Sequence, residues 1–252
     1  MKKIVSTILS LIMIMTIVLG VNSYRSLSTT PAHSDKADTF SDKNDKGDKI
    51  SVKYNKVDID YFNDALFIGD SRTVGLKKYS ILPSLTEADF FAHTGLSAAA
   101  VFSVTNRELK ENITLEEKLS SGTYGKIYIM LGVNEITGYL EENLKEFKKL
   151  IKTVKKYQPK AIIFIQSNIH VGKEYSESAV ERSNARLEEY NQMLSALADN
   201  KRVFYLNINE VYDDEEGNLS EEFTSDNLHL DGGYHEPWVE YLKNHAIVKV
   251  KK

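Results

Sequence analysis

Short apolar runs alternate with longer amphipathic segments from about residue 57 to the end of the chain. The runs that predict strands are Ala65–Gly69, Asp89–His93, Lys126–Leu131, Ala161–Gln166 and Val203–Asn207. Segments with apolar residues three or four positions apart predict helices at Thr73–Tyr79, Tyr139–Tyr157, Glu177–Asp199 and Tyr234–His245. Continuous apolar strands separated by amphipathic helices are typical of a parallel sheet covered on both faces. The pattern therefore predicts an α/β fold with a central parallel sheet of about five strands.

The N-terminus shows a different pattern. Lys2 and Lys3 precede an uncharged, mostly apolar stretch from Ile4 to Tyr24. A positive start followed by an apolar run is typical of an export signal, and about 20 apolar residues are enough to span a bilayer. Residues 1–24 are therefore predicted to be a membrane anchor or a cleaved signal peptide. The rest of the chain would lie on the extracytoplasmic face of a bacterial membrane, or be secreted after cleavage.

Composition changes again after the apolar stretch. Residues 25–56 are rich in Ser, Thr, Asp and Lys and contain few large apolar residues. Such a segment cannot bury enough apolar surface to offset its chain entropy, so it is predicted to be a disordered polar tether. Residues 57–252 are long enough to bury one hydrophobic core and are predicted to form a single domain.

The composition also excludes several classes of protein. The chain has 252 residues and no cysteine, which rules out disulfides, thiolate catalysis and Cys-ligated zinc. The formal net charge is -4, so no basic surplus indicates a nucleic-acid partner. The sequence contains no metal-binding or nucleotide-binding motif. We therefore expect no metal and no other cofactor.

Residues suited to acyl transfer follow three of the predicted strands. Ser71 comes directly after the first strand and before a helix, Gly95 follows the second strand, and Asn134 follows the third. The carboxyl ends of parallel strands form the ligand-binding edge of such a sheet. A serine amide at a helix N-terminus, a glycine amide and an asparagine NH2 group can each donate a hydrogen bond to an oxyanion. Taken singly, each of these residue types is also common in turns and helix caps, where it has no catalytic role.

A histidine with a nearby carboxylate lies close to the C-terminus, at Asp226 and His229. A serine hydroxyl needs a base to accept its proton, and histidine titrates near neutral pH. An adjacent carboxylate fixes the histidine tautomer and stabilises the imidazolium that forms. Together with Ser71, Gly95 and Asn134, this pair completes the set of groups that acyl transfer requires.

The order of these residues is similar to that of a known family. Gly-Asp-Ser ending at Ser71, Gly95, Gly-Val-Asn ending at Asn134 and Asp-Asn-Leu-His at Asp226–His229 resemble the motifs of SGNH (GDSL-type) hydrolases over about residues 60–246. The resemblance implies a three-layer α/β/α sandwich, flavodoxin-like in type, with a catalytic domain at 57–252. It implies Ser71 as nucleophile, His229 as base and Asp226 as the partner of the base. It also implies an oxyanion hole formed by the Ser71 and Gly95 amides and the Asn134 side chain.

Two residues depart from the family's pattern, and two further histidines are candidates. Arg72 stands where the family has Leu, and Glu135 where it commonly has Asp; neither is expected to touch the reacting groups. Arg72 is predicted either to form a surface salt bridge or to bind a polar or anionic substrate. His170 follows the fourth strand and is either a substrate-binding residue or a solvated loop residue. His235 falls within the last predicted helix and ranks below His229 as a base.

The sequence thus predicts an extracytoplasmic serine esterase. It would hydrolyse or transfer short acyl groups, in particular O-acetyl groups on cell-envelope glycans, through an acyl-serine intermediate. This substrate follows from location and family analogy rather than from residues. Two alternatives stay open: a lipid or lysophospholipid esterase at the membrane surface, and a catalytically silent glycan-binding or scaffold module. The expected partners are an ester-bearing glycan or lipid and, through the N-terminal segment, the membrane.

Overall fold

The computed structural model describes residues 41–43, 49–178 and 180–248. The predicted anchor or signal peptide at 1–24 and much of the predicted tether at 25–56 lie outside these residues. Within the described part of the chain, no helix is both long enough and apolar enough to cross a membrane. The anchor, the signal peptide and the disorder of the tether stay predictions.

The last residues of the predicted tether pack against the domain. Val52 is buried, and the Tyr54 hydroxyl donates a hydrogen bond to the backbone oxygen of Tyr205 at 3.2 Å. Asn55 exchanges backbone hydrogen bonds with Ala246. The boundary predicted at residue 57 is therefore too late. The apolar and aromatic side chains in this stretch are too few to distinguish it from the polar segment before it.

The strands form a central parallel sheet and a small antiparallel pair. The antiparallel pair consists of β1 (Ser41–Lys43) and β2 (Lys49–Ser51). The central sheet consists of β3 (Ala65–Gly69), β4 (Asp89–Ala92), β5 (Lys126–Met130), β6 (Ile162–Gln166) and β7 (Val203–Leu206). Its strand order is β4-β3-β5-β6-β7, and all neighbours are parallel. The predicted parallel sheet is confirmed, with each strand end within one residue of its expected position.

Helices connect the strands and cover both faces of the sheet. They are α1 (Ser71–Tyr79), α2 (Leu82–Leu85), α3 (Leu115–Ser121), α4 (Leu140–Tyr157), α5 (Lys173–Ser178), α6 (Asn184–Ser195), α7 (Asn209–Tyr212) and α8 (Glu236–Asn244). Helix α3 begins with a reciprocal cap, in which Thr114 and Glu117 satisfy each other's backbone N–H groups. The short helices α2, α3 and α7 have no counterpart among the predicted elements, because they span too few turns to show an amphipathic period.

The single helix predicted over Glu177–Asp199 is wrong. The structure has α5, a 3-10 turn at Val180–Arg182, and then α6. Ser183 is extended before α6, with φ −70° and ψ 159°. The Asn184 side chain accepts from the Val171 amide and donates to the Val171 carbonyl, at 2.7 Å each. These long-range hydrogen bonds fix the start of α6, and such tertiary contacts override local helix propensity.

The sheet separates two hydrophobic cores. Leu66 of β3 lies in one core and Phe67 lies in the other, because successive strand residues point to opposite faces. Helices α4 and α6 complete the first core, and α1 and α8 complete the second. On the second face, the rings of Phe90, Phe67, Tyr128 and Phe164 stack across four neighbouring strands with centroids 5.1, 4.8 and 4.6 Å apart. The three-layer α/β/α sandwich is therefore confirmed.

The strand order places a crevice at the end of β3. From β3 the chain passes to β4 on one side, and from β4 it crosses to β5 on the other side of β3. In an open α/β sheet, this reversal leaves a crevice at the carboxyl ends of the central strands, where ligands bind. Ser71 follows β3 and Asn134 follows β5, so both lie at this crevice.

Candidate active site

Ser71 is the first residue of α1 and comes two positions after the end of β3. Asp70 caps the helix, and its Oδ1 accepts a hydrogen bond from the Arg72 amide at 2.9 Å. Strand β3 is fully buried, which fixes the backbone on one side of the turn. The serine is partly exposed and sits at the positive end of the helix dipole. Its hydroxyl therefore has access to a ligand at a position held by two rigid elements.

His229 and Asp226 form a hydrogen-bonded chain with the serine. The Ser71 Oγ atom lies 3.0 Å from His229 Nε2, although the two residues are 158 positions apart in the chain. His229 Nδ1 lies 2.8 Å from Asp226 Oδ2. With Nδ1 donating to the carboxylate, Nε2 is free to accept the serine proton. The arrangement has the geometry of a nucleophile, a base and an orienting carboxylate.

Asp226 is held in its charged form. Partial burial tends to raise its pKa, but hydrogen bonds from the His229 amide, the His229 ring and the Leu228 amide outweigh burial and lower the pKa to about 2. The two backbone bonds reach Oδ1 at 2.7 and 2.8 Å. The carboxylate is therefore available at neutral pH to stabilise an imidazolium.

Gly95 and Asn134 flank the serine at the ends of the two strands that neighbour β3. Gly95 has φ +76°, in the left-handed region that favours glycine, and a Cβ atom added there would meet nothing within 4 Å. Asn134 Nδ2 donates to the Leu96 carbonyl at 3.1 Å, which ties Asn134 to the loop that carries Gly95. Both residues are exposed. Their use as oxyanion donors, with the Ser71 amide, stays a prediction.

A cavity of about 310 Å³ opens beside Ser71 and extends along α1. Its walls come from α1 and from the segment that follows His229. The lining residues are Ser71, Arg72, Val74, Gly75, Lys78, Tyr79, His229, Leu230, Asp231, Gly232 and His235. Charged and hydroxyl-bearing side chains make up much of this wall, whereas Gly95 and Asn134 do not line the cavity.

Arg72 does not form the predicted surface salt bridge. Its side chain is buried, and Nη2 donates to the carbonyl of Leu228 at 3.4 Å. Burial lowers the pKa of the guanidinium, while the charge of Asp70 opposes that shift. The surface expectation is wrong because α1 turns this side chain inward, towards the loop that carries His229. Arg72 contributes to the cavity wall, so substrate binding by this residue stays a prediction.

His170 is not the solvated loop residue that was one of its two expected roles. It is buried, with Nδ1 2.8 Å from Asp213 Oδ2 and Nε2 3.6 Å from Glu188 Oε2. Burial alone would lower its pKa, but the two carboxylates outweigh burial and raise the pKa to about 9. His170 does not line the cavity beside Ser71. The structure gives this residue an ion-pairing environment, and nothing in that environment supports the alternative of substrate binding.

His235 lies in the cavity wall but does not bond to the nucleophile. It immediately precedes α8 and is buried. A Cβ atom added at Gly75 would come within 2.7 Å of His235 Nε2, so the imidazole packs directly on α1. Burial lowers the pKa of His235. The hydrogen bond from Ser71 goes to His229 instead, which agrees with the predicted ranking of the two bases.

Contacts that sequence reasoning missed hold the segment 226–229 in place. The Gly172 amide donates to the Asn227 carbonyl at 2.8 Å, and Asn227 itself has φ +61°. Arg72 reaches the next carbonyl, that of Leu228. Asparagine is one of the residue types that adopt the left-handed conformation, so Asn227 is a sequence signal for that backbone geometry. The sequence does not indicate that Gly172 is its hydrogen-bond partner. Across the described residues, no group of three His, Cys, Asp or Glu residues could hold a metal ion.

Comparison with known proteins places this site in a family. Residues 67–235 match the family model described as the GDSL-like Lipase/Acylhydrolase family. The chain belongs to this family. The match extends from β3 to His235 and includes every residue of the Ser71–His229–Asp226 chain. Membership of the GDSL-like family indicates a hydrolase of the acylhydrolase class.

Solved structures share this fold at low sequence identity. A Streptococcus pneumonia structure provisionally described as a platelet activating factor has 23% identity and a TM-score of 0.58, over 71% of this chain and 82% of its own. A GDSL-like lipase from Bacteroides thetaiotaomicron has 11% identity and a TM-score of 0.56, over 73% and 87%. An active-site mutant of a family two carbohydrate esterase from Clostridium thermocellum, in complex with celluohexase, has 12% identity and a TM-score of 0.52, over 78% and 65%. No curated protein matches the chain.

Proposed function

We propose that this GDSL-like protein is a serine carboxylic-ester hydrolase. His229 Nε2 accepts the proton of Ser71 as Oγ forms a bond to the ester carbonyl carbon. The tetrahedral intermediate collapses, the alcohol leaves with the proton from His229, and the acyl group stays on Ser71. A water molecule, deprotonated by His229, then releases the carboxylic acid and restores the serine. The observation that carries this proposal is the hydrogen-bonded chain from Ser71 Oγ through His229 to Asp226.

Stabilisation of the oxyanion is assigned to three donors. These are the Ser71 amide at the start of α1, the Gly95 amide and the Asn134 NH2 group. The donors follow the carboxyl ends of three adjacent strands, β3, β4 and β5, which are almost entirely buried. Donors fixed in advance around a developing negative charge cost no reorganisation during the reaction.

The proposed substrate is a short acyl ester, in particular an O-acetyl group on a cell-envelope glycan. The cavity beside Ser71 is small and carries Lys78, Tyr79 and Asp231, whereas a long acyl chain would need an extended apolar groove. Transfer of the acyl group to a sugar hydroxyl instead of water would use the same residues. The carbohydrate esterase from Clostridium thermocellum, solved with celluohexase, shows that a protein of similar fold can act as an esterase on carbohydrate.

The esterase proposal is tested with p-nitrophenyl acetate. The full-length protein is compared with Ser71→Ala and His229→Ala, and each variant is expected to lose about 10³-fold or more in kcat/KM. Lys173→Ala provides a control, because this exposed residue pairs only with Glu216 at the surface in the described structure. Equal turnover by wild type and both active-site variants would refute the proposed triad.

Substrate class is tested separately. Rates on p-nitrophenyl acetate and octanoate are compared, followed by acetate release from O-acetylated oligosaccharides. We expect acetate to be preferred. A clear preference for octanoate would instead favour a lipid or lysophospholipid esterase. Absence of turnover on every ester would favour the silent glycan-binding module.

The proposed location is the extracytoplasmic face of the bacterial membrane. It rests on the two N-terminal lysines followed by the uncharged stretch Ile4–Tyr24. Fractionation of cells that express the full-length chain tests the location. An anchored protein is expected in the membrane fraction and accessible to external protease. Recovery of all the protein from the cytoplasm would contradict export, and recovery from the medium would indicate cleavage.

A further inference from the structure

Glu135 makes a contact that links two parts of the proposed oxyanion hole. It follows Asn134 directly in the loop between β5 and α4, and its side chain is largely buried. Its Oε2 atom accepts a hydrogen bond from the backbone amide of Ala98 at 2.9 Å. Ala98 lies three positions after Gly95 in the loop that follows β4. A single side chain thus joins the loop after β5 to the loop after β4.

A second hydrogen bond joins the same two loops. Asn134 Nδ2 donates to the Leu96 carbonyl at 3.1 Å, so consecutive residues of one loop hold Leu96 and Ala98 of the other. Between these attachment points and β4, the loop makes a tight turn in which the Leu96 amide donates to the His93 carbonyl at 3.0 Å. Gly95 lies inside this turn with φ +76°. The two attachments therefore determine where the Gly95 amide is held.

We propose that Glu135 is a positioning residue, which fixes the loop that carries Gly95 through the Ala98 amide and so sets the spacing between the Gly95 and Asn134 donors. The inference rests on the proposed esterase function, because the distance between the Gly95 and Asn134 donors matters only if they bind an oxyanion. Preorganised donors are effective only when each is held close to the position of the developing oxyanion. Glu135 touches neither the nucleophile nor the base.

The environment of Glu135 indicates which of its properties matters here. The ability to accept a hydrogen bond and the length of the side chain matter more than its negative charge. The pKa of Glu135 is raised to about 7, chiefly by burial; the nearby carboxylate of Asp70 also raises it, whereas the hydrogen bond from the Ala98 amide lowers it. A site selected for a negative charge would not place that charge in a buried position beside another carboxylate. A neutral group that accepts from Ala98 at the same distance should serve as well.

Three substitutions of Glu135 separate these properties. Glu135→Gln keeps the length and an acceptor oxygen but removes the charge. Glu135→Asp keeps the charge but is one methylene too short to reach Ala98 at hydrogen-bonding distance. Glu135→Ala removes both. Glu142→Gln is the matched control, since Glu142 is exposed in the first turn of α4.

The full-length protein, kept in mild detergent because of its apolar N-terminal stretch, is examined in two ways. Hydrogen exchange over residues 93–98 is expected to accelerate about tenfold in Glu135→Ala and Glu135→Asp, as one hydrogen bond is lost. In the same variants kcat on p-nitrophenyl acetate should fall about 10- to 100-fold, with KM within about twofold, because the loss acts on the oxyanion. Glu135→Gln and Glu142→Gln should match the wild type within about threefold in both measurements.

Different results would overturn the inference. Unchanged exchange in Glu135→Ala would show that this side chain does not hold the loop. Retained activity in Glu135→Asp together with a loss in Glu135→Gln would assign the effect to charge. A wild type that hydrolyses no ester would refute the proposed function, whereas the exchange data would still decide whether Glu135 fixes the loop. The two failures are therefore distinguishable.

Discussion

At the scale of single residues, Asn134 is the proposed oxyanion donor whose removal is simplest to interpret. One of its two amide hydrogens goes to the Leu96 carbonyl, and the exposed position leaves the other available to a ligand. Asn134→Ala is expected to lower kcat by about 10²- to 10³-fold with little change in KM, since the lost hydrogen bond strengthens in the transition state. Steady-state kinetics on p-nitrophenyl acetate measure this effect. A rise in KM alone would assign Asn134 to substrate binding.

Glu135 should also make the stability of the protein depend on pH. Its pKa is about 7 in the folded protein and 4.5 in the unfolded chain, so the folded state holds the proton more tightly. Stability is then lost as pH rises from about 4.5 through 7, by up to about 3 kcal/mol. Asp70, Ser97 and Tyr190 are the other polar groups that act on this carboxyl. Glu135→Gln is expected to unfold at a higher denaturant concentration than wild type at pH 8 but not at pH 4.5, and equal midpoints at both pH values would contradict the expectation.

The chemistry at this scale could be predicted from the sequence, but the supporting contacts could not. Ser71, Asp226 and His229 are recognisable because the reaction demands these residue types and because their order resembles that of the family. Arg72 carried no such signal, and its burial depends on where α1 meets the loop before His229. Glu135 was expected not to touch the reacting groups, and its link to Ala98 was not predictable because it joins positions 37 apart in the chain.

At the scale of elements, His170 joins three parts of the fold. It follows β6, while Glu188 lies in α6 and Asp213 comes directly after α7. The pKa of His170 is about 9 in the folded protein against 6.5 for the free side chain, so the stabilisation is complete below pH 6.5 and is lost as pH rises through 9. His170→Gln is expected to lower the unfolding temperature strongly at pH 6 and much less at pH 10. Thermal unfolding followed by circular dichroism tests this, and an equal loss at both pH values would contradict an ionic role.

The turn between β3 and α1 depends on Gly69. A Cβ atom at this position would collide with the Thr73 side chain and come within 2.8 Å of the Met130 carbonyl. Gly69→Ala is therefore expected to destabilise the protein by about 1–3 kcal/mol, because overpacking forces the backbone to shift. The shift would also move Ser71, so esterase activity should fall. Gly138→Ala is the control, since its nearest neighbour would be 3.5 Å away; similar unfolding midpoints for both variants would refute the expected clash.

The elements themselves were predictable wherever a local pattern determines them. Each strand of the central sheet is buried along its length or nearly so, and this burial is what a continuous apolar run indicates. The helix predicted over Glu177–Asp199 failed because Asn184 begins α6 through bonds to Val171, which no local period reports. A break in a helix that is imposed by hydrogen bonds to distant residues is not visible in the helical periodicity of the sequence.

At the scale of the whole molecule, strand order was beyond the pattern of apolar residues. Nothing in the five runs states that β3 lies between β4 and β5, because pairing partners are chosen by contacts far apart in the chain. The family resemblance supplied the sandwich architecture, and the structure added the order. The fold in turn explains why three of the four motifs meet, since β3, β4 and β5 all end at one edge of the sheet. The fourth motif, at 226–229, follows no strand and is held there by hydrogen bonds with Gly172 and Arg72.

The segment 226–229 has a consequence for how the amount of working enzyme should be counted. The proposed base and its orienting carboxylate both belong to these four residues, which lie outside every helix and strand. They are joined to the rest of the domain by hydrogen bonds with Gly172, Arg72 and Ser71. Brief local opening of this segment would disable turnover while both cores stayed packed. An active-site titrant would still reach one per chain, because each molecule that opens briefly closes again and then reacts. The closing equilibrium of these four residues would lower the rate of titration instead, so the end point and not the rate counts the working protein.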